Sequence, residues 1–145
     1  MAKGTDKSVA QKVTLDFLEI RRRIKQCALP EVDRIVGIGC GGIVPAALVA
    51  YELERPLTIL PINYRAPDNS PRFDQPQLLG TIHLAGNEQR LLLVDDVSVS
   101  GKTLDVARQV LAGHHVTTLV MRGQADFVLF PEISECVQWP WQEAA

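Results

Sequence analysis

The 145-residue sequence predicts an α/β fold in which helices flank a mostly parallel, twisted sheet. Segments with the composition of strands alternate along the chain with segments of helical periodicity. The uninterrupted apolar run at residues 91–94 is typical of a central parallel strand, which is buried on both faces. Ligands of such sheets bind at the carboxyl ends of the strands, so the turns that follow the strands are the first candidates for a functional site.

The first predicted element is an amphipathic helix over residues 8–29. Its apolar residues recur at steps of three and four, and charged residues occupy the other faces. Asp6 or Ser8 is the expected cap, and Pro30 ends the helix. Further strands are predicted at residues 34–38, 57–62, 81–84, 91–94 and 116–121, and further helices at residues 43–53 and 103–111. Residues 64–77 contain three prolines and no periodicity, which indicates a long loop, and the tail from Pro131 is expected to be irregular.

Composition excludes several classes of protein. The formal net charge of −2 argues against general nucleic-acid binding, which needs clustered positive charge. Three scattered cysteines fit neither a disulfide framework nor a Cys-rich metal site, and no secretory signal or membrane span is apparent. We therefore expect one cytoplasmic domain over residues 1–145.

The turn after the central strand combines two chemistries. Asp95 and Asp96 follow the apolar run, and the next helix begins after Ser100, Gly101, Lys102 and Thr103. Backbone amides and hydroxyls at a helix N-terminus bind phosphate, whereas carboxylates accept hydrogen bonds from sugar hydroxyls or hold a divalent cation. A P-loop is rejected, because its first glycine would fall on Asp96.

The turn after the strand at residues 34–38 is rich in glycine. Residues 37–42 match the letters of a dinucleotide-binding fingerprint. That fingerprint also requires an acid near the end of the next strand, where this chain reads Pro61-Ile62-Asn63-Tyr64. The missing acid disfavours dinucleotide binding.

Together the two turns resemble those of the type I phosphoribosyltransferases. The segment Val94-Asp95-Asp96-Val97-x-x-Ser100-Gly101-x-Thr103 resembles their binding motif for phosphoribosyl pyrophosphate. The resemblance implies that Asp95 and Asp96 contact the ribose hydroxyls and help hold Mg²⁺. It implies that the 5′-phosphate lies on Val99, Ser100, Gly101, Lys102 and Thr103, and that pyrophosphate lies on Gly39, Cys40, Gly41 and Gly42. It also implies a cis peptide bond between Gly39 and Cys40.

The ending Val137-Gln138-Trp139-Pro140-Trp141 resembles the C-terminal segment of the small bacterial and archaeal purine enzymes, and the resemblance covers roughly residues 33–142. It implies a mobile loop at about residues 64–78 carrying Tyr64 and Arg65 as catalytic residues. It implies a C-terminal segment at about residues 126–145, named the hood here, and base contacts from Arg122 and Val137. The substrates would be phosphoribosyl pyrophosphate and a nitrogenous base of the purine type, and the protein would be a homodimer.

Three positions depart from the family pattern. Val99 stands where the hypoxanthine-type enzymes have an aspartate, Cys40 replaces a basic residue, and Gln142 replaces a frequent acid. These departures keep an alternative open, a non-catalytic regulatory protein that binds phosphoribosyl pyrophosphate or a nucleotide on the same fold.

Overall fold

The computed structural model describes residues 13–63, 76–80, 82, 84 and 87–143. These residues form two sheets and three helices. The strands are β1 (Val13–Thr14), β2 (Arg34–Gly39), β3 (Leu57–Asn63), β4 (Gln77–Leu78), β5 (Arg90–Ser98), β6 (His115–Gly123), β7 (Phe127–Val128) and β8 (Val137–Gln138). The helices are α1 (Phe17–Gln26), α2 (Ile43–Leu53) and α3 (Lys102–Val110).

The larger sheet has six strands in the order β4-β3-β2-β5-β6-β7. Within it only β4 is antiparallel to its neighbour, so the described sheet is mostly parallel, as the sequence predicts. Strands β2 and β5 are adjacent near the middle, with Gly37 opposite Val94. Their carboxyl ends therefore reach the same edge of the sheet side by side.

The sheet separates two apolar cores. Leu92 and Val94 point to the face covered by α1 and α2, whereas Leu91 and Leu93 point to the face covered by α3. All four side chains are fully buried, which explains the unbroken apolar run in this strand. Among the described residues, no helix has the length and apolar character needed to cross a bilayer.

The helices that follow β2 and β5 agree closely with the prediction. Helix α2 has the predicted bounds, and Pro45 lies in its first turn, where a missing N–H is tolerated. Helix α3 begins at Lys102, one residue before the predicted start. Both helices start at the edge of the sheet where β2 and β5 end.

The predicted first helix is wrong at both ends. Helix α1 covers only Phe17–Gln26, and its cap is Asp16, whose Oδ1 accepts a hydrogen bond of 2.8 Å from the Glu19 amide. Val13 and Thr14 are a strand instead, because they pair in parallel with Val137 and Gln138. The expected caps, Asp6 and Ser8, lie outside the described residues.

Three other predicted segments differ from the structure. Gln77 and Leu78, placed in the mobile loop, form strand β4 because they pair with β3; residues 64–75 lie outside the described residues. Ile82 and Leu84 are in no strand, contrary to the prediction for residues 81–84, while residues 81 and 83 are outside the description. The tail is not wholly irregular, since β8 lies within it.

Candidate active site

The two turns that the sequence singles out meet at the carboxyl edge of the sheet. A Cβ atom added to Gly41 would lie 2.7 Å from Oδ1 and 2.8 Å from Oδ2 of Asp96. One added to Gly42 would lie 2.5 Å from the carbonyl oxygen of Val94. The turn after β2 therefore rests directly on the end of β5, and only glycine permits this approach.

The turn after β2 has a defined internal geometry. The peptide bond between Gly39 and Cys40 is cis, as predicted. The Gly42 amide donates to the Ile38 carbonyl at 2.7 Å, and the Ile43 amide donates to the Cys40 carbonyl at 3.1 Å. The Cys40 side chain is exposed.

The two acids lie within β5 rather than after it. Pairing between β5 and β6 continues past the predicted end of the strand, with Asp95 opposite Val120 and Ser98 opposite Gly123. The carboxylate of Asp95 is buried and accepts a hydrogen bond of 2.8 Å from the Asp96 amide. Asp96 is half-buried, and its Oδ1 accepts a hydrogen bond of 2.7 Å from the Val97 amide.

Burial gives the two acids different environments. Desolvation, and then the negative charge of Asp96, raise the pKa of Asp95 well above its usual range. Asp96 is more accessible and has both carboxylate oxygens beside Gly41. Of the two acids, Asp96 is therefore the one that is accessible to a ligand.

The loop after β5 leads into the N-terminus of α3. Gly101 adopts a left-handed conformation with φ of 80° and precedes the helix, and no described atom beyond its chain neighbours lies within 4 Å of a Cβ added there. The Ser100 hydroxyl accepts a hydrogen bond of 3.4 Å from the Lys102 amide. Val99 is 72% exposed, and Thr103 is half-buried in the first turn. The helix start faces open space, which suits an anion.

Strand β6 brings Arg122 beside the acids, since Arg122 lies opposite Val97. Its Nη1 donates to the Ser134 carbonyl at 3.2 Å. Its Nε is buried and has no hydrogen-bond partner among the described residues. A buried donor without a partner costs free energy, so an acceptor on a ligand would be favoured there.

The described part of the hood contains Val137, the other residue predicted to contact the base. Val137 is buried in β8, close in sequence to Trp139 and Trp141. The two tryptophan rings are stacked, with centroids 5.3 Å apart and an angle of 2° between their planes. Trp139 is only 2% exposed, so it packs in the core.

Two features were not singled out from the sequence. The Ser98 hydroxyl is buried without a hydrogen-bond partner in the described structure, next to Gly123 on β6. Arg23 on α1 contacts the hood, although in the sequence it is one of several charged residues on an amphipathic helix. Tyr64 and Arg65 lie outside the described residues, so their placement stays a prediction.

Comparison with known proteins identifies the class. A family model for the phosphoribosyl transferase domain matches residues 14–122, and the chain belongs to this family. The predicted type I phosphoribosyltransferase fold is thereby confirmed. The match includes both turns, the two acids and Arg122.

Two relatives are named as phosphoribosyltransferases of purine bases. The chain is 29% identical over 111 residues to the xanthine-guanine phosphoribosyltransferase of Cereibacter sphaeroides, covering 74% of this chain but only 64% of that relative. It is 26% identical over 140 residues to the enzyme of the same name from Chromohalobacter salexigens, covering 90% of this chain and 84% of the relative.

A solved structure gives the same fold. The purine phosphoribosyltransferase of Pyrococcus horikoshii superposes with a TM-score of 0.76, covering 92% of this chain and 96% of that one. The sequence identity is 24%, so this likeness is evidence for the fold alone.

Proposed function

We propose that this chain is a phosphoribosyltransferase that moves ribose 5-phosphate from phosphoribosyl pyrophosphate to a purine base and releases pyrophosphate. The contact between Gly41 and the Asp96 carboxylate carries the proposal, because it joins the two turns into one site. Membership of the family and relatives named xanthine-guanine phosphoribosyltransferase support this reaction and a purine acceptor.

The 5′-phosphate is proposed to bind at the start of α3. Its partners would be Val99, Ser100, Gly101, Lys102 and Thr103, through backbone amides, two hydroxyls and the ammonium group. The positive end of the helix dipole and the open space before Gly101 both favour an anion.

Pyrophosphate is proposed to bind on Gly39, Cys40, Gly41 and Gly42. The amides of Gly42 and Ile43 donate within the turn, so contact with the anion is assigned mainly to the Cys40 and Gly41 amides. Small residues let the backbone approach the phosphate oxygens closely.

Asp95 and Asp96 are proposed to be the catalytic acids of the ribose side. Asp96 would accept hydrogen bonds from the ribose hydroxyls, and Asp95 would support it from within the strand. As the ribose gains positive charge in the transition state, the adjacent carboxylate charge stabilises it. Tyr64 and Arg65, which lie between β3 and β4 in the sequence, are proposed to cover this centre and exclude water.

The same acids suit a magnesium ion. Magnesium favours oxygen ligands, and typically combines one or two carboxylates with substrate phosphates and waters. Asp96 has its carboxylate beside the proposed pyrophosphate turn, whereas Asp95 is buried with one oxygen already hydrogen-bonded. When bound, the ion would neutralise the charge of the leaving pyrophosphate.

The purine is proposed to lie between Arg122 and the hood. The unpartnered Nε of Arg122 is a donor suited to a carbonyl oxygen of the base, and Val137 of the hood is proposed as the second base contact. Residues 126–145 would thus act as the hood of one domain that spans the chain.

We further propose that the protein is a cytoplasmic homodimer. All three cysteines, of which Cys40 and Cys136 are exposed, are free thiols, which fits a reducing compartment. Phe17 and Leu18 on α1 are 45% and 74% exposed, and such apolar side chains suit a subunit interface. Light scattering of the purified chain tests the dimer.

The reaction is tested by measuring pyrophosphate release with Mg²⁺ and phosphoribosyl pyrophosphate over a panel of hypoxanthine, guanine, xanthine and adenine. Turnover on a purine is expected. Tight binding of phosphoribosyl pyrophosphate without turnover on any base would contradict the proposal and favour the non-catalytic alternative.

The assignment of Asp96 is tested by Asp96→Asn, with Asp33→Asn as the matched control. Asp33 pairs with Arg90 at the opposite edge of the sheet, far along β2 and β5 from the site. Asp96→Asn should lower kcat/KM by roughly 100-fold, the scale for one transition-state electrostatic contact. Equal activity of both variants at neutral pH would show that Asp96 has no such role.

A further inference from the structure

The hood is attached to the N-terminal part of the chain at several points. The Val13 amide donates to the Cys136 carbonyl at 2.9 Å, and Val13 lies opposite Val137 in the pairing of β1 with β8. The Phe17 ring lies 6.3 Å from the Trp141 ring. Residues 13–17 therefore contact the last part of the hood.

Arg23 contacts the first part of the hood through one guanidinium group. Its Nη1 donates to the Leu129 carbonyl at 2.8 Å and to Oε1 of Glu132 at 3.1 Å, and its Nη2 donates to Oε2 of Glu132. The guanidinium carbon also lies 4.6 Å from the centre of the buried Phe130 ring. A single side chain thus holds one backbone carbonyl, one aromatic ring and one carboxylate.

Exposure and ion-pair partner distinguish Arg23 from Arg21. Its side chain is 25% exposed, compared with 48% for Arg21, which pairs with Glu52 on α2. The hydrogen bond from Arg23 lowers the pKa of Glu132. Glu132 is itself 53% exposed, and ion pairs of this kind contribute little to overall stability, so the geometry that Arg23 imposes matters more than its ion-pair energy.

The segment that Arg23 fixes leads directly to the proposed base contacts. Ser134, two residues after Glu132, accepts the hydrogen bond from Arg122. Val137 follows three residues later in β8. A shift of the chain at Leu129–Glu132 would therefore move Val137 and the carbonyl that holds the Arg122 side chain, and so disturb both groups that we assign to the purine.

We propose that Arg23 is a positioning residue for purine binding, which sets the hood over the base through Leu129, Phe130 and Glu132. The inference rests on the proposed function for its link to the purine. Arg23 itself does not touch the substrate. Its effect should be confined to the base half of the site, since the phosphate turns lie on β2 and β5.

The test compares Arg23→Ala and Arg23→Lys with the control Arg21→Ala, which also removes an ion pair of α1. Arg23→Ala should raise the KM for the purine roughly tenfold, as expected for the loss of charged hydrogen bonds, with the KM for phosphoribosyl pyrophosphate changed by less than about twofold. Arg23→Lys should have a smaller effect in the same direction, because an ammonium group cannot form the planar fork. Arg21→Ala should change neither KM.

A second readout does not depend on turnover. Both tryptophans of the chain, Trp139 and Trp141, lie in the hood, so acrylamide quenching of intrinsic fluorescence reports on its packing. Quenching should increase in Arg23→Ala, and to a smaller extent in Arg23→Lys, but not in Arg21→Ala.

Failure of the inference is distinguishable from failure of the proposed function. If no purine is turned over, the proposed function fails, and the quenching comparison still decides whether Arg23 positions the hood. Parallel increases in both KM values, or unchanged quenching in both Arg23 variants, would overturn the positioning role. Should Arg23→Ala fail to fold, the same measurements on Arg23→Lys decide it.

Discussion

Replacement of Gly41 by alanine perturbs the contact between the two turns. The new Cβ would lie 2.7 Å from Oδ1 of Asp96, where ordinary contact begins at 3.4 Å. The carboxylate must therefore move by about 0.7 Å. It can do so because the crowded atoms are the end of a half-buried side chain, not backbone.

The expected losses of activity and stability depend on which group moves. A misplacement of about 1 Å at a reacting centre can cost 100-fold in rate, so kcat/KM for phosphoribosyl pyrophosphate should fall between roughly 10- and 100-fold. The free energy of unfolding should fall by less than about 1 kcal/mol, below the 1–3 kcal/mol typical of overpacking in a core.

The assay is a double-mutant cycle with Asp96→Asn, measured as pyrophosphate release and as urea denaturation. If Gly41→Ala acts through Asp96, its effect on kcat/KM should largely vanish in the Asp96→Asn background. Gly80→Ala is the control, since its Cβ would make only an ordinary 3.4 Å contact with Pro61. Additive effects, or unchanged activity of Gly41→Ala, would refute the reasoning.

Two other predictions concern stability. Gly42→Ala should destabilise by about 1–3 kcal/mol or more in urea denaturation, because its Cβ would meet the backbone oxygens of Val94 and Ile38 at 2.5 and 2.7 Å; a midpoint equal to that of Gly41→Ala would contradict this. Hydrogen bonds from Arg90 lower the pKa of Asp33 to about 2, below its ordinary 3.8. The pair therefore stabilises the fold above about pH 4, and this stabilisation is lost as the pH falls towards 2. The difference in urea midpoint between the native chain and Asp33→Asn should therefore shrink on acidification from pH 5 to pH 2, and a constant difference would show that the pair does not act this way.

The elements that local sequence specifies were predicted well. Helix α2 follows a glycine-rich turn and is apolar except at Glu52, and its predicted bounds are confirmed. The fully buried run in β5 identified the central strand. Strand β1 was missed because Val13 also fits the helical periodicity, and only pairing with Val137, far along the chain, makes it a strand.

Some features of the candidate site could likewise be predicted from local sequence, and others could not. The residues of each turn are contiguous, so their chemistry could be inferred from sequence. The contact of Gly41 with Asp96 and the burial of Asp95 depend on the register between neighbouring strands, which no local pattern specifies. Arg23 was missed for the same reason, since its partners in the hood lie more than a hundred residues away.

The most direct test of a single phosphoribosyl pyrophosphate site is protection of the Cys40 thiol. Cys40 and Cys136 are both exposed, but only Cys40 lies in the turn assigned to pyrophosphate. The magnesium complex of phosphoribosyl pyrophosphate should slow alkylation of Cys40 by iodoacetamide, measured by peptide mass spectrometry, with half-protection at the Kd found by calorimetry. Saturating ligand that leaves the Cys40 rate unchanged, or slows both thiols equally, would contradict the account.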